Sequence, residues 1–296
     1  MPTYYPFMQV DAFTTTPLGG NACAIVFDCA TLGDETLQAI AKEMNLAETS
    51  FVWLMEDGRF RARYFTPAEE IPLAGHPTIA TVFALVEAGR LELQSDYVKI
   101  PLVLRDGPID VEIFAHNRKV KRVVMSQRKP QFLRDYAPSD VLPVFGLGPE
   151  DLRPGALIQT VSTGTPQLMV PLRGLEALRK VKLDVDAYTG LRTRSDFFSA
   201  HLFCLQGVER GDTFARHFVI PPDFIEDPYT GSATGGMGAY LWHYGLIEQP
   251  NFTAEQGHWM GRPGEGFVEI IGPRNDITTV KVGGMAVTVL KGELII

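Results

Sequence analysis

With 296 residues, 45% hydrophobic and 21% charged, the chain can build one large domain or two ordinary ones, and its composition is globular rather than low-complexity. Acidic residues outnumber basic ones 35 to 27, a formal net charge of -8, which argues against a nucleic-acid surface. Met1-Pro2-Thr3-Tyr4-Tyr5 lacks the basic start of a signal peptide, and no run reaches the ~20 apolar residues of a membrane span, so a cytoplasmic protein is expected.

Short β-type runs lead the chain: 7–13 and 22–27 flank the turn Thr16-Pro17-Leu18-Gly19-Gly20-Asn21. Leu37, Ile40, Ala41 and Met44 recur at helical spacing, with Asn45 as a left-handed terminator. Strands are expected at 51–55 and 59–65, a helix at 78–87 closed by Gly89, and further strands at 97–104, 109–114 and 120–125. The basic run 118–122 reads as a solvated strand edge. After a polar stretch, 126–140, strands at 156–162 and 167–171 precede a helix at 172–179 and a hairpin-like pair at 199–206 and 214–219. A helix at 237–244 and strands at 267–270, 278–282 and 286–290 close the chain.

The order of elements repeats. Arg63-Tyr64-Phe65, Glu70, Pro72 and Gly75-His76 match Arg216-His217-Phe218, Glu226, Pro228 and Gly231-Ser232, and each set leads into a helix. A helix beginning with glycine and a small polar residue or histidine exposes N–H groups and the positive end of its dipole, which suits a carboxylate. Each glycine also reads as a simple cap. Phosphate-loop spacings are absent, the six histidines lack metal-ligand spacing, and Cys23, Cys29 and Cys204 form no ligand set or disulfide framework. Cys29 and Cys204 read as small buried hydrophobes. Glu48, between Asn45 and the strand at Phe51, is either an exposed loop glutamate or a general acid/base beside apolar residues. His76 is either a proton carrier or a hydrogen-bonded loop histidine. Asp227 can hold an amine, act as a second base, or cap the helix that follows.

Five motifs in order, Asp11-Ala12-Phe13 with Gly20-Asn21-Ala22, 45–52, Phe65-Thr66-Pro67 through Ala74-Gly75-His76-Pro77-Thr78, 226–233, and Gly283-Gly284-Met285, resemble the phenazine-biosynthesis-protein-like family across nearly the whole chain. The resemblance implies an α+β fold of two pseudo-symmetric diaminopimelate-epimerase-like domains, each a curved, mostly antiparallel sheet wrapped around a central helix. Domains of 1–120 and 121–296 are expected, with the last strand near 286–296 able to join the first. It further implies a cofactor-independent isomerase acting on a small amino or hydroxy carboxylate, similar to trans-2,3-dihydro-3-hydroxyanthranilate isomerase, without metal, nucleic acid or membrane, and a homodimer. Catalytic roles fall on Glu48, His76 and Asp227, and substrate binding on Asn21, Gly75, Gly231 and Ser232. Ala74 and Thr230 stand where related racemases carry cysteine bases, so a two-cysteine mechanism is not expected. Ala47, in place of the family's serine, and Ala22, where proline often follows the asparagine, depart from the phenazine enzymes. The competing reading is a non-catalytic carboxylate-binding protein on the same fold.

Overall fold

A computed structural model describes residues 2–221 and 223–296. The chain forms two compact units, Met1–Ser126 with Gly283–Ile296, and Gln127–Val282. In the first lie β1 (Tyr4–Ala12), β2 (Asn21–Phe27), α1 (Asp34–Met44), β3 (Glu48–Leu54), β4 (Phe60–Phe65), β5 (Glu70–Ile71), α2 (Gly75–Glu87), β6 (Tyr97–Leu104), β7 (Gly107–His116) and β8 (Lys119–Ser126). The second holds β9 (Gln131–Tyr136), α3 (Pro138–Val141), β10 (Ile158–Ser162), β11 (Pro166–Pro171), α4 (Leu175–Lys180), α5 (Val185–Thr193), β12 (Ser199–Cys204), β13 (Thr213–Phe218), β14 (Glu226–Asp227), α6 (Gly231–His243), β15 (Asn251–Gln256), β16 (Gly264–Ile271) and most of β17 (Thr279–Gly284). β18 (Ala286–Ile295) returns to the first unit and lies antiparallel to β1.

The units share one topology. β1–β2 is antiparallel, β2–β3 parallel across α1, β3–β4 antiparallel, and β4–β6 parallel across α2. In the same sequence β10–β11 is antiparallel, β11–β12 parallel across α4 and α5, β12–β13 antiparallel, and β13–β15 parallel across α6. Matching details recur. Arg63 makes two hydrogen bonds of 2.8 Å to Glu70 and lies 5.1 Å from the Phe65 ring centre. Arg216 does the same with Glu226, at 2.7 and 2.8 Å, and lies 5.0 Å from the Phe218 ring. This is the α+β repeat expected.

Each sheet packs one face on an enclosed helix. Eleven consecutive residues of α2, Gly75 to Leu85, are buried, and the helix touches β1, β2, β3, β8 and β18. Thr81 Oγ1 donates to Ser50 Oγ at 2.6 Å, and Tyr64 Oη and Thr78 Oγ1 lie 3.0 Å apart, pinning the helix to β3 and β4. The opposite face carries Val26, Phe51 and Phe65, covered by Leu37, Ile40 and Ala41 of α1. In the second unit Leu168, Val170, Leu202 and Phe218 pack against Leu178, Tyr188 and Leu191 in the same way.

Several boundaries differ from the sequence reading. The first unit runs to 126 rather than 120, because β8 pairs with β7 as far as Met125, and it regains the chain at 283. α2 and α6 begin at Gly75 and Gly231, not at 78 and 237. In α6, a Cβ on Gly235 would lie 1.8 Å from Gln127 Oε1, and one on Gly238 would lie 2.8 Å from Val268 Cγ1. Side chains of β16 and of the β8–β9 connection therefore occupy the room that helical side chains would need. β9, α5 and β15 arise where no element was expected, and α4 starts at Leu175 because the Leu172 N–H still bonds to Phe203 O at 2.7 Å.

Candidate active site

In the first unit the parallel pairing of β2 and β3 sets Cys23 opposite Glu48, so both strands begin at the same end, beside the start of α2. Glu48 is the first residue of β3, within the ladder and partly buried, which departs from one of its two readings, that of an exposed loop glutamate. Asn21 opens β2 after Gly20, whose φ is +51° and whose Cβ would lie 2.0 Å from Ala12 O, so only glycine makes this turn. Asp11 Oδ2 accepts from Leu18 N at 2.7 Å and ties down the rest of the β1–β2 connection.

Three of the residues singled out above meet here. Asn21 Nδ2 donates to His76 Nδ1 at 3.0 Å, and His76 Nε2 lies 3.0 Å from Glu48 Oε2. With Nδ1 accepting, the proton of the neutral imidazole sits on Nε2, facing the carboxylate. The His76 side chain is 3% exposed and that of Glu48 18%, so the carboxylate alone of the pair opens appreciably to solvent. Gly75, the first helical residue, is buried beside them and has its N–H at the positive end of α2. Cys23 was missed as a member of this group. Burial, and secondarily the charge of Glu48, pushes its thiol well above the usual range, so it stays protonated and inert.

The second unit gathers Asp227, Gly231 and Ser232 in a separate polar cluster. Asp227, on β14, accepts a short hydrogen bond from Thr230 Oγ1. Gln256 Nε2 donates to Asp227 O at 2.7 Å, and its Oε1 accepts from Thr230 N at 3.2 Å. Gln127 Nε2 donates to Gly231 O at 2.8 Å. Ser232 Oγ accepts from Gln167 Nε2 at 3.4 Å, and Gln167 Oε1 accepts a short bond from Ser199 Oγ. Gln127, Gln167, Ser199 and Gln256 escaped the sequence reading. The one signal of Gln167, Ser199 and Gln256 is a polar residue buried within a strand, and Gln127, in the β8–β9 connection, gives none.

The repeat makes these two clusters equivalent. β11–β12 register places Gln167 opposite Ser199 as β2–β3 places Cys23 opposite Glu48, and Ser232 is the second residue of α6 as His76 is of α2. At the positions of Glu48, Cys23 and His76 the second unit carries the non-ionising Ser199, Gln167 and Ser232, while its own carboxylate, Asp227, stands where the first unit has Ile71.

Beneath that chain, His201 and His217 face each other across β12 and β13, their Nδ1 atoms 3.3 Å apart. Burial lowers His201 to about 3, and burial together with the His201 charge takes His217 well below the ordinary histidine range. Both stay neutral and serve as core. Among the described residues no group of three or more His, Cys, Asp or Glu is placed to hold a metal ion, and no helix is long and apolar enough to cross a membrane.

Comparison with known proteins gives a consistent result. The profile of the PhzC-PhzF family, phenazine biosynthesis-like protein, matches residues 10–292. An uncharacterized isomerase of Bacillus subtilis is 34% identical over 266 residues, 89% of each chain. The trans-2,3-dihydro-3-hydroxyanthranilate isomerase of Pseudomonas aeruginosa is 30% identical over 289 residues, 97% of this chain and 98% of that one. The crystal structure of a Bacillus anthracis phenazine biosynthesis protein of the PhzF family superposes with a TM-score of 0.88 at 30% identity, covering 99% of this chain and all of that one.

Proposed function

The chain belongs to the phenazine biosynthesis-like protein family and is an isomerase, and we propose that it moves a proton within a small amino or hydroxy carboxylate, with Glu48 as the general acid/base. The observation that carries this reading is the chain of Asn21, His76 and Glu48 within one unit. The ionised carboxylate of Glu48 removes a proton from a carbon of the substrate, leaving an electron pair delocalised over the adjoining π-system. The same group then returns that proton at another carbon, so no net proton is gained or lost. His76 Nε2–H steadies the carboxylate while it is charged and holds its orientation when it carries the proton. The helix-start N–H groups of α2, at Gly75, and of α6, at Gly231 with Ser232, are our assignment for carboxylate binding, and Asp227 for a supporting proton-transfer role.

The Pseudomonas aeruginosa relative is named for trans-2,3-dihydro-3-hydroxyanthranilate, so that compound and related amino and hydroxy carboxylates form the first panel to test. In heavy water, deuterium uptake reports proton transfer without knowledge of the product. Glu48→Gln keeps the size of the side chain but cannot take up the proton. Exchange should fall by ~10²–10⁴-fold while ligand affinity changes far less. A variant that binds normally and exchanges at the wild-type rate would remove Glu48 from the mechanism. Binding without exchange in the wild-type protein would favour the carboxylate-binding alternative.

A further inference from the structure

Asp227 has a supporting role in the proposed reaction, and resting on that reading we propose that Thr230 and Gln256 are its positioning residues. Gln256 turns the Thr230 hydroxyl so that its hydrogen points at the Asp227 carboxylate. Thr230 stands at the N-cap of α6, where a threonine ordinarily accepts from an N–H of the first helical turn. Its side chain makes no such cap bond. It donates instead to Asp227 Oδ2, in a short hydrogen bond between residues three apart.

The direction of that bond follows from two backbone groups, which have no choice of role. Thr230 N can only donate, so the Gln256 atom 3.2 Å from it is the amide oxygen. Asp227 O can only accept, so the Gln256 atom 2.7 Å from it is the amide nitrogen. The same nitrogen lies 3.3 Å from Thr230 Oγ1 and spends its second hydrogen there. Thr230 Oγ1, already accepting, keeps its one hydrogen for Asp227 Oδ2. A hydroxyl aimed in this way at a carboxylate oxygen steadies its charge and holds its orientation. Gln256 is 2% exposed, so water does not compete for the amide.

The repeat shows that the fold does not require this arrangement. Asp227 lies opposite His217 as Ile71 lies opposite Tyr64, and Thr230 and Ala74 each precede an enclosed helix. Thr213 pairs with Ala254 as Phe60 pairs with Leu102, which carries Gln256, opposite Ala215, onto Leu104, the last residue of β6. The first unit thus holds Ile71, Ala74 and Leu104 where the second holds Asp227, Thr230 and Gln256, and none of the first three has a side chain that can hydrogen-bond. Leu104 is 3% exposed, so equally buried positions carry a leucine in one copy and an amide in the other. A buried amide costs stability unless it is bonded, and the first unit ends the same strand without one. What the amide adds in the second unit is its hold on Thr230 and Asp227.

The experiment replaces the pair by its counterparts, Thr230→Ala and Gln256→Leu, which the fold already accommodates in the first unit. The first readout, on the full chain, needs no substrate. In NMR spectra of the ¹³C-labelled protein the Thr230 hydroxyl hydrogen should exchange slowly with water, and in Gln256→Leu about 10-fold faster or more. The second is deuterium uptake by trans-2,3-dihydro-3-hydroxyanthranilate in heavy water. Each single variant should lose about 10- to 10²-fold in kcat, the equivalent of one hydrogen bond to a charged group, with KM little changed. Thr230→Ser keeps the hydroxyl and should stay near the wild-type rate. Both substitutions break the same bond, so the double variant should lose less than the product of the two single losses. A rapidly exchanging Thr230 hydroxyl in the wild type overturns the proposal. So does a wild-type rate in Thr230→Ala, a Thr230→Ser as slow as Thr230→Ala, or losses that multiply. Failure of the isomerase reading shows differently, as Glu48→Gln exchanging at the wild-type rate or as no uptake by the wild type, and the hydroxyl exchange still decides the proposal in either case.

Discussion

The buried histidine pair makes the stability of the second unit depend on pH in a direction fixed by its surroundings. His201 and His217 are neutral in the folded chain, with His201 lowered to about 3 by burial. In the unfolded chain each returns to about 6.5. Between those values the unfolded state binds more protons, so stability is complete above pH ~6.5 and is lost as the pH falls below it. Each pH unit in that window is worth about 1.4 kcal/mol for a histidine that stays neutral when folded, so at pH 5 His201 alone should contribute a loss of about 2 kcal/mol, and His217 adds in the same direction. The repeat supplies a control. Register equates His201 and His217 with Ser50 and Tyr64 of the first unit. The double variant His201→Ser, His217→Tyr installs there a pair that the fold already accommodates. Urea unfolding at pH 8 and pH 5 should show wild type losing at least about 2 kcal/mol more than the variant across that interval. Equal losses in the two proteins would refute the assignment, whatever their absolute stabilities.

Two further outcomes follow from contacts rather than titration. Asn21→Leu removes the donor that keeps a lone pair on His76 Nδ1, so ¹⁵N spectra should show the ring gaining the Nδ1–H tautomer. Turnover should fall by about 10- to 10²-fold, the equivalent of one hydrogen bond within a charged group, with KM little changed; an unaltered tautomer and rate would contradict the role given to Asn21. Gly235→Ala would bring a methyl group 1.8 Å from Gln127 Oε1, the atom that accepts from Thr163 Oγ1 at 2.5 Å. The cost should be about 1–3 kcal/mol and several degrees of Tm by calorimetry, and an unchanged Tm would show that α6 has room to spare.

What the sequence revealed, and what it hid, separates along burial of polar groups. Asn45, with φ 50° and ψ 41°, ends α1 as its residue type indicated, and the alternating strands of 59–65 and 97–125 were plain. Strand β15 was not, because its buried residues include Glu255 and Gln256. Burial works against the charge of Glu255, yet the N–H groups of Val208, Glu209, Arg210 and Gly211 converge on its carboxylate and hold it below the usual range. That nest comes from a loop more than forty residues earlier, which no local pattern can announce. β9 was hidden for the opposite reason: most of its residues face solvent and show no apolar alternation. In the candidate site, Glu48, His76 and Asn21 were legible as motif residues, but their contact was not, since it depends on β2 and β3 starting together beside α2.

The repeat sharpens what the fold can and cannot say about chemistry. Both units bring two parallel strand starts to the start of an enclosed helix, so the backbone offers the same three-position frame twice. In the second copy Ser199, Gln167 and Ser232 satisfy one another by hydrogen bonds, and none of them can carry a proton near neutral pH. In the first copy the frame holds Glu48 and His76, with Asn21 fixing which ring nitrogen carries the hydrogen and inert Cys23 beside them. Fold alone would therefore assign equal chemistry to both, and only the side chains distinguish them. The asymmetry also bears on the proposal of a single carboxylate as acid and base. A cysteine on each copy would provide two bases of equal standing, but Ala74 and Thr230 precede the two helices instead. In the mechanism proposed for Glu48, the group that takes the proton is also the group that returns it, which suits a shift between two carbons of one substrate better than inversion at a single carbon.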